Sequence, residues 1–415
     1  MNDFSPNRDD QVLEDTAEQV ANPRVAPADS FVLHAPLELL ARRGLLDFVG
    51  PASRDAARER MRWVAEKYSA SGPGIDDHAG PDPVVPGCAD QVARELVGAL
   101  DEGDASRADL AIRSLCAVLS PSAIAAVLAE PVVRRLSAAG HGSIFLDLLP
   151  RVGAGAPSAA LMSRILVREM CAHPDWQLHW TDERFDRQPD AGDPSSSLQT
   201  VLLAPPSPGT LANNFIYPTM SLTEGSGLAA SLLAGPTCSI DVASARRTLL
   251  RVAAHSMLQD DPAHAPYGWT HCLTMAQSTL NIAALCEEPR TAIAVAATFV
   301  LGFRATLRSV SLDPDFVPMK PRASDTPPTL MDALVEALVD ADPSAAAAAA
   351  WHAPAGRRAS LVERLASRAA QHEDAHLAKY TLACIEEAQR DPDAASLFLA
   401  AAAYLAAWWA AWSEA

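Results

Sequence analysis

The stretch "QHEDAHLAKYTLACIEEAQRDPDA", residues 371–394, falls largely within a segment, 358–390, whose spacing reads as an amphipathic helix. Leu377, Tyr380, Leu382, Ala383 and Ile385 give it an apolar body. His372, His376 and Lys379 stand at i, i+4 and i+7 and therefore share one face. Two explanations fit such a face. It is a metal site, or it is the solvated polar rim of an ordinary core helix.

Outward from there, the same periodicity recurs. The run "LFLAAAAYLAAWWAAW" (397–412) is short of the roughly 20 apolar residues that span a bilayer. It is Ala-rich and reads as a buried terminal helix. Its Trp408, Trp409 and Trp412 can wall a cavity or simply fill a core. Segments 52–68, 89–101, 106–118, 121–138, 157–172, 243–258, 272–286, 289–307, 329–341, 343–352, 358–390 and 393–412 all carry helical spacing. Ser120 with Pro121 after it is a helix-start signal. Strand formers are sparse. The expected fold is all-α: one large domain of packed helix pairs over 29–415, behind a mobile N-terminal tail at 1–28. Two irregular stretches interrupt it, a Gly/Pro-rich loop at 69–87 and a longer segment at 173–222, which is suited to act as a lid over a site.

Bulk composition narrows the function. The chain has 415 residues, is 49% hydrophobic and carries a formal net charge of -18. That acidity disfavours nucleic acid and anionic membrane as partners. The seven cysteines are scattered without a CxxC, which fits free thiols in a reducing cytoplasm. No GxSxG elbow, P-loop or HExxH occurs. Gly225-x-Gly227-x-x-Ala230 approaches a dinucleotide fingerprint. It lacks the preceding strand, so it reads as a turn running into a helix, and no NAD(P) or flavin motif is visible.

The histidines are the informative residues. His34 in "FVLHAPLELLA", His141 in "AAGHGSIFLDLL", His271 in "GWTHCLTMAQSTL" and His376 lie far apart in sequence, each in an apolar setting. Helical proteins assemble metal sites from such side chains on several helices. Neutral imidazole suits iron, zinc, copper and nickel. Lys379 is the misfit, because an ammonium repels a cation.

Four blocks carry a family resemblance. They are "LHAPLELLARRGLLDFVGPASRDAARERMRWVAEKY", "AAGHGSIFLDLLPRV", "HCLTMAQSTLNIA", and "EDAHLAKYTLACIEEAQRDPDA" followed by "FLAAAAYL". In these the chain resembles the questin oxidase-like family, helical proteins of polyketide and related pathways associated with oxidative cleavage of anthraquinones. The resemblance implies one non-heme Fe(II) held by His34, His141, His271 and His376. It also implies a carboxylated Lys379, which would present an oxygen donor where an ammonium cannot. Thr274 matches the threonine of the third block. His372, His255 and Asp374 are alternative ligands or hydrogen-bond partners.

The implied activity is oxygenation of a small apolar or aromatic natural-product intermediate, with O2 as co-substrate and C–C cleavage as one outcome. Trp180, Phe215, Tyr217, Trp269 and Trp351 are candidate pocket residues, most of them in or near loops. Zinc or another divalent ion running hydrolysis or lyase chemistry is one alternative, and a non-catalytic helical scaffold is another. The apolar terminal helix offers a homodimer surface.

Overall fold

A computed structural model describes residues 6–21, 30–71, 88–136, 140–151, 157–172, 178–181, 192–211, 215–307, 309–319 and 330–413. The described residues form nineteen α-helices with short 3-10 and π turns, and no strand. The all-α expectation holds. The chain divides into two compact units.

The first unit takes in Met1–Asp47, Pro51–Leu178 and Asn281–Ala292. Here the N-terminal reading is corrected. Within the stretch expected to be a mobile tail, Pro6–Ala21 is a helix. It packs against the helices Ser30–Leu46, Pro51–Ala70 and Pro157–Ala172. Leu13, Ala17 and Val20 form its buried stripe. Polar tethers reinforce it: Arg58 donates to Asp9 at 2.6 Å, and Ser158 donates its N–H to Glu14 at 2.9 Å. The acidic composition that suggested a tail is in fact the set of partners for these groups. The Ser120 signal holds, since its hydroxyl oxygen accepts the Ala123 N–H at 3.3 Å and starts the helix Pro121–Arg134. Most of the 69–87 loop lies outside the described residues.

The second unit takes in Phe48–Gly50, His179–Leu280 and Ile293–Ala415. Its terminal helix, Ala395–Ser413, packs on Pro343–Trp351, on Ala375–Arg390 and on Val242–Gln259. Ala346–Ala350 and Ala400–Ala403 are all buried. Such small side chains let helix axes approach closely. The terminal apolar stretch is long enough by length and composition to cross a membrane, yet most of it is buried inside the protein. It is a core helix, as expected.

The irregular reading of 173–222 is corrected in part, because Pro194–Leu203 and Ile216–Gly225 are helices. Pro218 falls in the first turn of the second, where no backbone N–H is needed. Gly227, at φ 72, turns the chain from that helix directly into Leu228–Ser239, so helices flank the glycine motif on both sides.

A buried hub fixes this unit. Arg304 is fully buried. It donates to the carbonyls of Leu202 (2.7 Å), Leu203 (3.0 Å) and Val310 (2.7 Å), to the Ser256 hydroxyl (2.7 Å) and to Asp260. Asp260 also accepts the Val310 N–H at 2.9 Å. Burial pushes the Asp260 carboxyl up and the Arg304 guanidinium down, and their mutual attraction opposes both shifts.

Candidate metal centre

His34 and His141 are the first two of the four imidazoles in chain order. His34 lies near the start of Ser30–Leu46 and is buried. His141 stands at the N-cap of Gly142–Leu148. Just before it, Gly140, at φ 81, gives its N–H to the Leu136 carbonyl at 2.7 Å. A side chain at Gly140 would be strained in that left-handed conformation. The two Nε2 atoms lie 2.9 Å apart, with the rings edge-to-face.

His271 and His376 are the other two. A short π-helix, Ala265–Trp269, leads into the helix Thr270–Ile282, whose second residue is His271. Phe303 stacks near-parallel on the His271 ring, with centroids 6.4 Å apart. His376 is the second residue of Ala375–Arg390. The His271 and His376 rings meet edge-to-face at 4.9 Å. Tyr267, on the π-helix, sets its ring against His376 at 4.9 Å.

At His376 the single-helix reading of 358–390 fails. The helix breaks into Arg358–Gln371 and Ala375–Arg390. Asp374 is the reason, because its carboxylate caps the second helix by accepting the His376 N–H at 2.7 Å. His372 is left outside both helices with ψ 156, so it does not share a face with His376. Its Nδ1 instead accepts the Asp374 N–H at 3.0 Å. Lys379 stays on the His376 helix one turn on and is buried.

Asp374 has a second task. Its Oδ1 lies 2.9 Å from His376 Nδ1. A carboxylate there draws the ring proton onto Nδ1 and leaves Nε2 with a free lone pair, the usual arrangement behind a metal-ligating imidazole. Burial lowers the proton affinity of His376, the Lys379 charge lowers it further, and Asp374 opposes both. Burial pushes Asp374 up, but the hydrogen bond and charge of His376, together with Lys379, hold it below the ordinary carboxylate range. The pair is therefore a neutral imidazole beside an anionic carboxylate.

Among the described residues, His34, His141, His271 and His376 form a group able to hold a metal ion. Each offers one ligand atom, all four lie within 4.8 Å of one another, and all four residues are buried. Metal–nitrogen bonds of about 2.1 Å put neighbouring ligand atoms ~3.0 Å apart at right angles and ~4.2 Å apart when opposed. The donor set is thus of the right size and chemistry for one ion.

His255 does not join the group. His255 sits in the helix Val242–Gln259, with Nδ1 3.1 Å from the Gln259 amide. Burial pushes it from the ordinary 6.5 down to about 4. A buried base with a depressed folded pKa favours the native state fully above pH 6.5, and that advantage is lost as pH falls toward 4. The expected loss is about 3 kcal/mol. Urea unfolding at pH 7.5 and 4.5 should show His255→Gln losing less stability between the two than the parent by about that amount. Thr274 gives its hydroxyl to the Thr270 carbonyl at 2.8 Å.

The five aromatic residues read as pocket candidates lie elsewhere than around His376. Trp180 and Trp269 are buried with their indole N–H groups on Thr298 and on the Asp261 carbonyl, each at 3.0 Å. Phe215 and Tyr217 are exposed, and Trp351 is half-buried. None of the five lines the open pocket of about 920 Å³ beside His376, whose walls include Tyr267, His372, Asp374 and Trp409. Loop position alone was the signal for the five. The edge-to-face pairing of Tyr267 with His376 depends on a π-turn that spacing does not reveal.

Asp374→Asn tests the carboxylate's role. The amide keeps the helix cap but pulls the Nδ1 proton more weakly. Metal affinity, read by competition with a chelator, is expected to fall about 10–100-fold, with unchanged helicity.

No family model, curated protein or solved structure matches the chain.

Proposed function

We propose that the chain is a metal-dependent oxygenase of the questin oxidase-like kind, with iron(II) held by His34, His141, His271 and His376. The observation that carries this reading is the four buried imidazoles with ligand atoms within 4.8 Å. The four sequence blocks add support, because each contributes one of these histidines.

Bound iron(II) would supply the one-electron chemistry that activates O2 toward a carbon substrate. The chain's own residues supply the rest. Asp374 holds the proton of His376 on Nδ1 and so keeps the other ring nitrogen available. Phe303 and Tyr267 fix the planes of His271 and His376 and keep water from their faces. Lys379 lies close enough for its charge to lower the proton affinity of His376. In this reading its amine is carboxylated, which replaces a repelling cation with an oxygen donor. The substrate is a small apolar or aromatic metabolite, and C–C cleavage follows oxygenation. Seven cysteines without a disulfide among them suit a cytoplasmic enzyme.

Imidazole ligands equally suit zinc, which favours a second reading, hydrolysis or lyase chemistry at the same site. An oxygen electrode separates the two. Substrate-dependent O2 uptake by the iron-loaded protein supports the oxygenase. Turnover with no O2 uptake contradicts it.

A further inference from the structure

The pocket beside His376 carries chemistry of its own. It is open and has a volume of about 920 Å³. Three rings border it. Tyr267 and Trp409 meet edge-to-face with centroids 6.2 Å apart, and His372 tilts against Trp409 at 5.6 Å. Two carboxylates, Glu373 and Asp374, line it with one guanidinium, Arg368.

The charge balance favours one ligand sign. His372 accepts the Asp374 N–H on Nδ1, so that nitrogen carries no proton and the imidazole is neutral. The charged side chains of the lining are two carboxylates and one guanidinium. The helix N-terminus that would otherwise draw an anion is already capped by Asp374. Aromatic faces are electron-rich and attract cations, most strongly for Trp. The chain as a whole is acidic, with a net charge of -18.

We propose that this pocket binds an organic ammonium group, held against the rings of Tyr267 and Trp409 with Glu373 and Asp374 as counter-charges. The substrate of the adjoining centre is then an apolar or aromatic molecule that carries an amine or quaternary ammonium. That role as a substrate pocket rests on the oxygenase reading. Binding of the cation does not, because every residue involved lies outside the four histidines. Asp374 links the two, touching His376 on one side and the pocket on the other.

Three probes share one ring and differ in charge: benzyltrimethylammonium, benzyl alcohol and benzoate. Each is titrated calorimetrically into metal-free and metal-loaded protein. The cation is expected to bind both forms at least about tenfold more tightly than the other two, and more weakly as salt rises. Glu373→Gln and Trp409→Leu should each weaken it severalfold while leaving benzyl alcohol unchanged. If Trp409→Leu does not fold, Tyr267→Leu takes its place, and the exposed Glu373 position stands in either case. Equal or tighter binding of benzoate or benzyl alcohol, or no binding of the cation at millimolar concentration, overturns the proposal. A protein that takes up no metal yet binds the cation keeps the pocket and removes only the oxygenase reading. A protein that holds metal but shows no cation preference does the reverse.

Discussion

Replacing His376 by alanine is expected to strip the centre of its metal. The residue is buried, its Nδ1 is committed to Asp374, and Nε2 is the atom left to face an ion. Removing a ligand costs more than removing the hydrogen bond behind it, so the loss in affinity should exceed the roughly 10–100-fold expected for Asp374→Asn. Equilibrium dialysis against iron(II), or against zinc(II) as an air-stable stand-in, reads this directly. Turnover should fall with occupancy. The metal-free forms of parent and variant should unfold within a few degrees of each other, because Asp374 loses the imidazole but keeps the N–H of residue 376 and is only half-buried. A variant that still holds one ion per chain at parental affinity would show that His376 is a packing residue.

Arg304→Met is expected to cause the largest loss of stability of any single change away from the centre. Methionine fills much of the arginine's volume but leaves Asp260 fully buried without its cation. Breaking one side of such a pair costs about 3–5 kcal/mol. Three backbone carbonyls, from Leu202, Leu203 and Val310, lose their donors as well. The double variant with Asp260→Asn should recover part of the loss, because it removes the stranded charge. Urea unfolding of the parent and both variants measures it. Arg304 follows Phe303, which stacks on His271, so Arg304→Met should also weaken metal affinity modestly. A stability change under about 1 kcal/mol would place the energy of this hub elsewhere.

The comparison with sequence divides along physical lines. Helical spacing and scarce strand formers were enough for an all-α fold, because 3.6-residue periodicity is written locally. The four clustered histidines were each legible as an imidazole in apolar surroundings, although no local pattern says that His34 and His376, more than three hundred positions apart, come together. Capping was harder to read. Asp374 was read as a ligand or hydrogen-bond partner inside a long helix, yet it also ends one helix and begins the next. That break is what separates His372 from His376. The acidic N-terminus was misread because its carboxylates have partners, Arg58 and Ser158, that lie in distant helices. Of the residues around the pocket beside His376, Trp409 was read as able to wall a cavity, whereas Tyr267 was not singled out. Tyr267 depends on a π-turn and Trp409 on the packing of the terminal helix, and neither is encoded by being near a loop.

The central claim is that four histidines hold one metal ion. Anomalous diffraction tests it most directly, with data collected on either side of the iron absorption edge from crystals grown without chelators. The account predicts a single strong peak per chain at bonding distance, about 2.0–2.3 Å, from a ring nitrogen of each of His34, His141, His271 and His376. No peak there, or a peak bound by other side chains, would contradict it.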